Sequence, residues 1–150
     1  MIKLIIPGGP LAKQSARFYS RGGRMFSYQP KAIVDNKAKI ALYAKKQLPK
    51  GFKTIISPIR VVRLYFMFKP LSSHSKAVLG QIREWDECPM ADMFVYKTTK
   101  PDIDNLIKGT ADALEGIVFK NDSQICQYLD VRKGYSYEPR TELWLEEIKG

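Results

Sequence analysis

The chain has 150 residues, of which 45% are hydrophobic and 27% charged, and its formal net charge at pH 7 is +10. This length and composition predict one folded domain over residues 1–150 and exclude a disordered chain. No apolar run reaches the length of a membrane span and the start of the sequence has no signal-peptide pattern, so we expect a cytoplasmic protein without a membrane partner.

The charge is divided unevenly along the chain. Residues 1–83 contain 17 Lys and Arg residues and a single acid, Asp35, for a net charge of +16. Residues 84–150 contain 8 basic and 14 acidic residues, for a net charge of −6. The first part is suited to binding a polyanion through its phosphates, and nucleic acid is the expected partner. The second part collects carboxylates.

The first elements in chain order are a short strand at residues 3–6 and a predicted hairpin. The sequence AKQSARFYSRGGRMFSY favours a β-hairpin or loop around Gly22 and Gly23. Basic groups contact phosphates while aromatic rings stack on unpaired bases, so the mixture suits nucleic acid. Equally, the rings could belong to the core and the basic groups to water. The residues in question are Lys13, Arg17, Arg21 and Arg24 with Phe18, Tyr19, Phe26 and Tyr28.

A helix and a long strand are predicted next. Apolar residues of segment 31–48 fall on one side at 100° per residue, which predicts an amphipathic helix with a basic outer face, ended by Pro49 and Gly51. After Pro58 the run IRVVRLYFMF alternates with the period of a strand. Both faces of that strand are apolar enough to be covered.

The remaining segments complete the predicted fold. Residues 70–98 mix loop signals with a possible short helix over 76–85, and we treat them as an insertion or excursion whose acids lie in solvent. SQICQYLDVRKGYS and TELWLEEI predict two strands joined by a turn near Glu138 and Pro139. The order of elements predicts an α/β or α+β fold, with a mixed β-sheet flanked by helices.

Thiol and imidazole chemistry is not expected, because few residues could provide it. Cys88 and Cys126 lie far apart and outside any C-x-x-C pattern, so neither a disulfide framework nor a zinc site is expected. His74 is the only histidine and lies in the polar stretch SSHSK, which is typical of an exposed loop.

Carboxylates gather around one predicted helix. The helix follows Pro101, has an apolar stripe, and ends at Gly116, so Asp102 and Asp104 lie in or beside its first turn. Aspartates there cap exposed amides and interact favourably with the helix dipole, which would explain both without a metal. The stripe consists of Ile103, Leu106, Ile107, Thr110 and Leu114.

Two further residues favour a metal site. Lys108 follows Asp104 by four residues on the same face, where it could form an ion pair or hold a bound phosphate. A strand at 117–119 would bring Asp122 back near the start of the helix. Three carboxylates from two elements suit Mg²⁺, although Asp122 could also be a turn residue that bonds its own backbone.

The segment PDIDNLIKGTADALEGIVFKNDSQI resembles the signature of the RusA-type Holliday junction resolvases. The motifs D-[IL]-D-N-L-x-K and [ND]-D-[SA]-Q occur in order and at the expected separation. Outside it, GGPLAKQSARF is similar to a basic stretch of many members, and RGGRMFSYQP to the segment before their first helix. Asn121 stands where some members have an aspartate, so we expect that position to be secondary.

This resemblance implies a homodimeric, Mg²⁺-dependent endonuclease, with Mn²⁺ as a possible substitute ion. Its partner would be branched DNA, and it would resolve four-way junctions by paired nicks in recombination and repair. By residue match, Asp102, Asp104 and Asp122 would be catalytic acids and metal ligands, and Lys108 the catalytic lysine. We expect the DNA arms to contact Lys13, Arg17, Arg21, Arg24, Lys97 and Lys100.

Two other functions compete with this one. The first is a junction-binding or single-strand-binding protein without catalysis, in which the acids only cap the helix. The second is a metal-dependent hydrolase of other phosphate esters, for which the basic surface would be needlessly large. Substitution of one aspartate separates the enzyme from the binding protein, because only cleavage should depend on it.

Overall fold

The computed structural model describes residues 1–13 and 16–150. The helices in these residues are α1 (Lys31–Gln47), α2 (Lys76–Glu87) and α3 (Ile103–Leu114). The strands are β1 (Ile2–Pro7), β2 (Arg17–Arg21), β3 (Arg24–Tyr28), β4 (Ile59–Phe68), β5 (Ile125–Tyr128), β6 (Val131–Tyr135) and β7 (Arg140–Glu147). Over the described ranges, none of the helices is long and apolar enough to cross a membrane.

The main sheet is mixed, and β4 is its central strand. On one side β4 pairs antiparallel with β7, which pairs antiparallel with β1 at the edge. On the other side β4 pairs in parallel with β5 and, further along, with β6. Of the predicted hairpin or loop, the structure has the hairpin: β2 and β3 pair antiparallel in a separate two-stranded sheet. The prediction of a mixed sheet flanked by helices, in an α+β arrangement, is confirmed.

The largest core lies between the sheet and the helices α1 and α3. Alternate residues of β1, β4 and β7 point toward this face, because side chains alternate along a strand. The apolar sides of the two helices cover them, as the helical spacing predicted. The buried side chains include Leu4, Ile6, Val61, Leu64, Phe66, Leu143 and Leu145 from the sheet, with Ile40, Ala44, Leu106 and Leu114 from the helices.

The opposite face of β4 is also covered, as its apolar second face predicted. Tyr65 and Met67 pack with Trp85 of α2 and with Phe94. The helix α2 extends two residues beyond the predicted end, and Ser75 caps its start by accepting a hydrogen bond from the backbone N of Val78 at 3.2 Å. The description of residues 70–98 as an insertion stays a prediction.

One acid of this segment is not a solvated loop residue. The Asp86 carboxylate accepts a hydrogen bond from Ser136 Oγ at 2.6 Å and another from the backbone N of Tyr137 at 2.8 Å. These bonds tie α2 to the end of β6. The prediction that the acids of this segment lie in solvent was therefore wrong for Asp86. Its carboxylate satisfies two donors, the Ser136 hydroxyl and the Tyr137 backbone N, that would otherwise lack a partner.

The predicted strand over 123–136 is divided into β5 and β6. The break lies at Leu129 and Asp130, opposite an irregularity between Val61 and Arg63 of β4. The extra residue, Val62, forms a bulge in the pairing of β4 with β7; β5 pairs with β4 before this position and β6 pairs with β4 after it. The final strands β6 and β7 lie on opposite sides of β4 and do not pair with each other.

Gly134 is expected to be intolerant of any side chain. A Cβ atom at this position would lie 2.5 Å from the carbonyl O of Val95 and 2.5 Å from the Phe94 ring. That carbonyl accepts a hydrogen bond from the backbone N of Tyr135, so it cannot move freely. We expect Gly134→Ala to lower the free energy of unfolding by about 1–3 kcal/mol, measured by urea denaturation.

Gly80 provides the matched control for this prediction. It lies inside α2, and a Cβ there would meet no atom within 4 Å. Gly80→Ala should leave stability unchanged or raise it slightly, since alanine favours helix more than glycine does. Equal stability of the two variants would contradict the tight contact at Gly134.

Candidate active site

The start of α3 carries aspartates that do little capping. Asp102 occupies the N-cap position, but its carboxylate accepts no capping hydrogen bond. Asp104 Oδ1 accepts one bond, from the backbone N of the next residue, Asn105, at 3.0 Å. Both side chains are exposed. Helix capping therefore does not account for Asp102, and it leaves most of the acceptor capacity of Asp104 unused.

The loop that precedes α3 is held to the sheet by Lys133, which the sequence did not single out. Lys133 Nζ donates hydrogen bonds to the carbonyl oxygens of Thr99 at 2.7 Å and Pro101 at 2.8 Å. These bonds fix the backbone next to Asp102. At the other end, α3 stops at Leu114 and Gly116 follows with φ +79°, as the predicted helix end required.

The turn around Asp122 is built by its neighbours. Asn121 Oδ1 accepts a hydrogen bond from the backbone N of Ser123 at 2.9 Å, and Gln124 Oε1 accepts one from the backbone N of Asn121 at 2.8 Å. Gln124 Nε2 also donates to the carbonyl oxygens of Ile55 and Ser57, both at 3.0 Å. Asn121 and Gln124 form a capping box, so turn formation does not need the Asp122 carboxylate.

Asp122 meets two acids that the sequence did not single out. Its carboxylate lies within 4.8 Å of those of Asp112 and Glu115, near the C-terminal end of α3. Residues 104, 108, 112 and 115 are spaced by four, four and three, so they follow one face of the helix. This spacing was the available signal: it extends the face of Asp104 and Lys108 to both acids.

The predicted set Asp102, Asp104 and Asp122 does not form such a group among the described residues. Asp104 and Asp112 are separated by about 12 Å along the helix axis, because an α-helix rises by about 1.5 Å per residue. Residues 117–119 form a turn in which Phe119 makes isolated bridges to Ile55 and Glu115, and not the strand that would return Asp122 to the start of α3. The joint role of the three predicted acids stays a prediction.

Lys13 lies beside the cluster of Asp112, Glu115 and Asp122, which we call the acidic group. Its ammonium pairs with the Asp112 carboxylate, and its backbone N donates to the carbonyl O of Asn105 at 3.1 Å. Gly109 allows this crossing, since a Cβ on it would lie 3.1 Å from the backbone N of Lys13. Lys13 therefore lines the same helix face as the acids, and its predicted contact with DNA stays a prediction.

The other predicted basic residues occupy different surroundings. Lys108 is exposed and, in the described part of the chain, forms no ion pair. Lys97 Nζ lies over the Phe68 and Tyr135 rings, 5.2 and 5.5 Å from their centroids. Lys100 is exposed in the loop before α3. The exposed hairpin β2–β3 carries Arg17, Arg21 and Arg24.

The Asp122 carboxylate affects the pKa of a neighbouring residue, Tyr128. Burial raises the pKa of the Tyr128 hydroxyl, and the Asp122 carboxylate raises it further.

The donor set fits a hard divalent cation. Asp112, Glu115 and Asp122 supply carboxylate oxygens, the ligands that Mg²⁺ prefers, and Mg²⁺ usually needs few carboxylates because it keeps several waters. The two described cysteines are exposed and lie outside this group, and no histidine belongs to it. The chemistry of these residues excludes a thiolate or imidazole site at this position.

Known proteins match nearly the whole chain. The model of the family described as Endodeoxyribonuclease RusA matches residues 7–146, which include the hairpin, α3 and the turn at Asp122. The chain is also 33% identical to the uncharacterized protein YqaN of Bacillus subtilis (strain 168), over 98% of this chain and 96% of that protein. The chain therefore belongs to the RusA endodeoxyribonuclease family.

Proposed function

We propose that the protein is a Mg²⁺-dependent endonuclease that resolves four-way DNA junctions by paired nicks, in recombination and repair. One observation carries this proposal: Asp104, Asp112 and Glu115 follow the same face of α3 as Lys108, Asp122 lies beside the last two acids, and Lys108 has no ion pair among the described residues. Family membership supports the nuclease activity. The choice of the four-way junction as substrate rests on the resemblance of the D-[IL]-D-N-L-x-K and [ND]-D-[SA]-Q motifs.

In this proposal Asp102, Asp104 and Asp122 would hold one or two metal ions along α3, with Mn²⁺ able to replace Mg²⁺. A bound divalent ion supplies Lewis acidity toward the scissile phosphate and favours a hydroxide nucleophile. Asp112 and Glu115 belong to the same acidic surface and would strengthen the attraction for a cation. Lys13, which pairs with Asp112, would orient that carboxylate and limit the net negative charge presented to DNA.

Lys108 would act on the phosphate itself. Its ammonium is exposed, and in the described part of the structure no carboxylate neutralises it by an ion pair. A phosphodiester gains negative charge on its non-bridging oxygens as it is attacked. A cation carried by the same helix as Asp104 would stabilise that charge.

The basic first part of the chain would carry the DNA arms. Residues 1–83 have a net charge of +16, which favours contacts with phosphates that do not depend on base sequence. A homodimer suits the substrate, since a junction with approximate two-fold symmetry must be cut on two strands. We propose Arg17, Arg21, Arg24, Lys97 and Lys100 as phosphate contacts.

Incubation with labelled DNA tests the proposed function. The purified protein is mixed with four-way, duplex and single-stranded DNA of equal length, with and without Mg²⁺. We expect symmetric nicks in the four-way junction that require the metal, and none in the duplex. Junction binding without cutting would favour the non-catalytic function, and equal cutting of all three DNAs would contradict selectivity for junctions.

A further inference from the structure

The hairpin β2–β3 stands apart from both cores. All ten residues of its two strands are exposed, and none of them belongs to either hydrophobic cluster. The turn uses Gly22 and Gly23, with φ +59° and +75°, which suits a tight two-residue hairpin. A lone two-stranded hairpin is marginally stable in water, so a bound partner would complete it.

The two faces of the hairpin differ sharply in composition. Residues paired across the strands share a face, and one face consists of Arg17 with Tyr28, Tyr19 with Phe26, and Arg21 with Arg24. The opposite face consists of Phe18 with Ser27 and Ser20 with Met25 and has no charge. We call the first the aromatic–arginine face.

The rings of the aromatic–arginine face form a continuous platform. Tyr19 stacks on Phe26 with centroids 5.3 Å apart and meets Tyr28 edge-on at 6.0 Å. The exposed fractions are 47% for Tyr19, 40% for Phe26 and 47% for Tyr28. Arginines flank the platform at both ends. The sequence left these rings open to either the core or nucleic acid, and their exposure excludes the core.

We propose that the aromatic–arginine face binds unpaired bases at the branch point of branched DNA. This inference rests on the proposed function for the choice of branched DNA. Every base has a ring face that can stack on tyrosine or phenylalanine, and the flanking guanidinium groups can contact the adjoining phosphates. Stacking of one base on such a ring is worth about 5- to 150-fold in affinity.

Charge favours DNA over a second copy of this chain as the occupant. The hairpin carries three arginines, and the sequence contains no acid before Asp35. Two copies that joined these faces would bring six arginines together without a counter-charge, which opposes association. A polyanion supplies the opposite charge. Unpaired bases supply flat surfaces on which the exposed rings can stack.

Fluorescence of 2-aminopurine at the branch point tests this inference. The base analogue is placed next to the crossover of a four-way junction, and the full-length protein is titrated in EDTA so that no cleavage occurs. We expect binding to change the fluorescence of wild-type complexes, and Tyr19→Leu/Phe26→Leu to abolish that change. The same variant should weaken junction binding by about 10-fold or more and leave duplex binding unaltered.

Matched variants separate stacking from hairpin folding. Phe18→Leu/Met25→Leu alters the opposite face of the same strands and should preserve the fluorescence change. Tyr19→Phe/Phe26→Tyr keeps both rings and should behave as wild type. If Tyr19→Leu/Phe26→Leu weakens junction and duplex binding equally, the proposal is overturned. It is also overturned if sedimentation shows that this variant dissociates a dimer which the wild-type protein forms. The titration contains no metal and measures binding alone. If the separate assay with Mg²⁺ shows no cleavage, the proposed function is refuted, but the result of the titration still stands.

Discussion

Asp122→Asn should reduce Mg²⁺-dependent nicking of four-way junctions by about 100-fold or more, since a metal ion supplies several kcal/mol of transition-state stabilisation. The substitution removes one charge and keeps the shape of the side chain. The turn should survive, because Asn121 and Gln124 form it without the Asp122 carboxylate. Junction binding in EDTA should stay the same or tighten, because a repulsive charge is lost. Rates of nicking and gel-shift affinities measure the two effects.

Asp92→Asn is the control for Asp122→Asn. Asp92 is exposed in a short helical turn of residues 91–93 and lies outside the acidic group. Its substitution should leave nicking unchanged. Nicking by Asp122→Asn at the wild-type rate, with Mg²⁺ saturating, would contradict the proposed metal site.

A second comparison decides which end of α3 holds the ion. Asp104→Asn should also abolish nicking if the predicted acids act together, whereas Asp112→Asn should weaken it less because Asp112 already pairs with Lys13. Calorimetric titration with Mg²⁺ gives the metal affinity of each variant directly. If Asp104→Asn nicks at the wild-type rate and Asp112→Asn loses nicking, the metal site would instead be formed by Asp112, Glu115 and Asp122.

Lys108→Met should lower the rate of nicking by about 100- to 1,000-fold, which is typical for removal of one group that stabilises transition-state charge. Methionine keeps the length and helix preference of the side chain, so α3 should remain folded. Affinity for the junction should fall by less than about 10-fold, since the basic surface provides many other phosphate contacts. Single-turnover nicking rates and binding titrations separate the two quantities.

Lys76→Met provides the matched control for Lys108→Met. Lys76 is an exposed lysine at the start of α2, on the other side of the sheet from α3. Its substitution should leave the nicking rate unchanged. Equal losses of rate in both variants, or a loss confined to binding, would contradict a catalytic role for Lys108.

Most secondary structure could be predicted because periodicity is a local property. The spacing of apolar residues located α1 and α3, and the alternation in IRVVRLYFMF located β4 with both faces covered. The bulge at Val62 could not be predicted, because it depends on how β4 pairs with β7. Val61 before the bulge and Leu64 after it both lie in the core, and β5 and β6 pair with β4 on either side of it.

The burial of the hairpin rings could not be predicted from the sequence either. Its sequence predicted a turn at Gly22 and Gly23 and an interleaving of rings with basic groups. Whether rings are buried depends on what packs against them, which is a property of the whole fold. The structure leaves Tyr19, Phe26 and Tyr28 exposed, and this exposure makes a binding surface of the hairpin.

The sequence alone determined the family signature, the start and end of α3, and the positions of Asp104 and Lys108 on one helix face. These follow from residue order and helical spacing. The position of Asp122 depends on the three-dimensional fold, because the turn after Gly116 is anchored through Gln124 to Ile55 and Ser57, far away in sequence. That anchoring brings Asp122 to Asp112 and Glu115, near the end of α3 opposite to the predicted one.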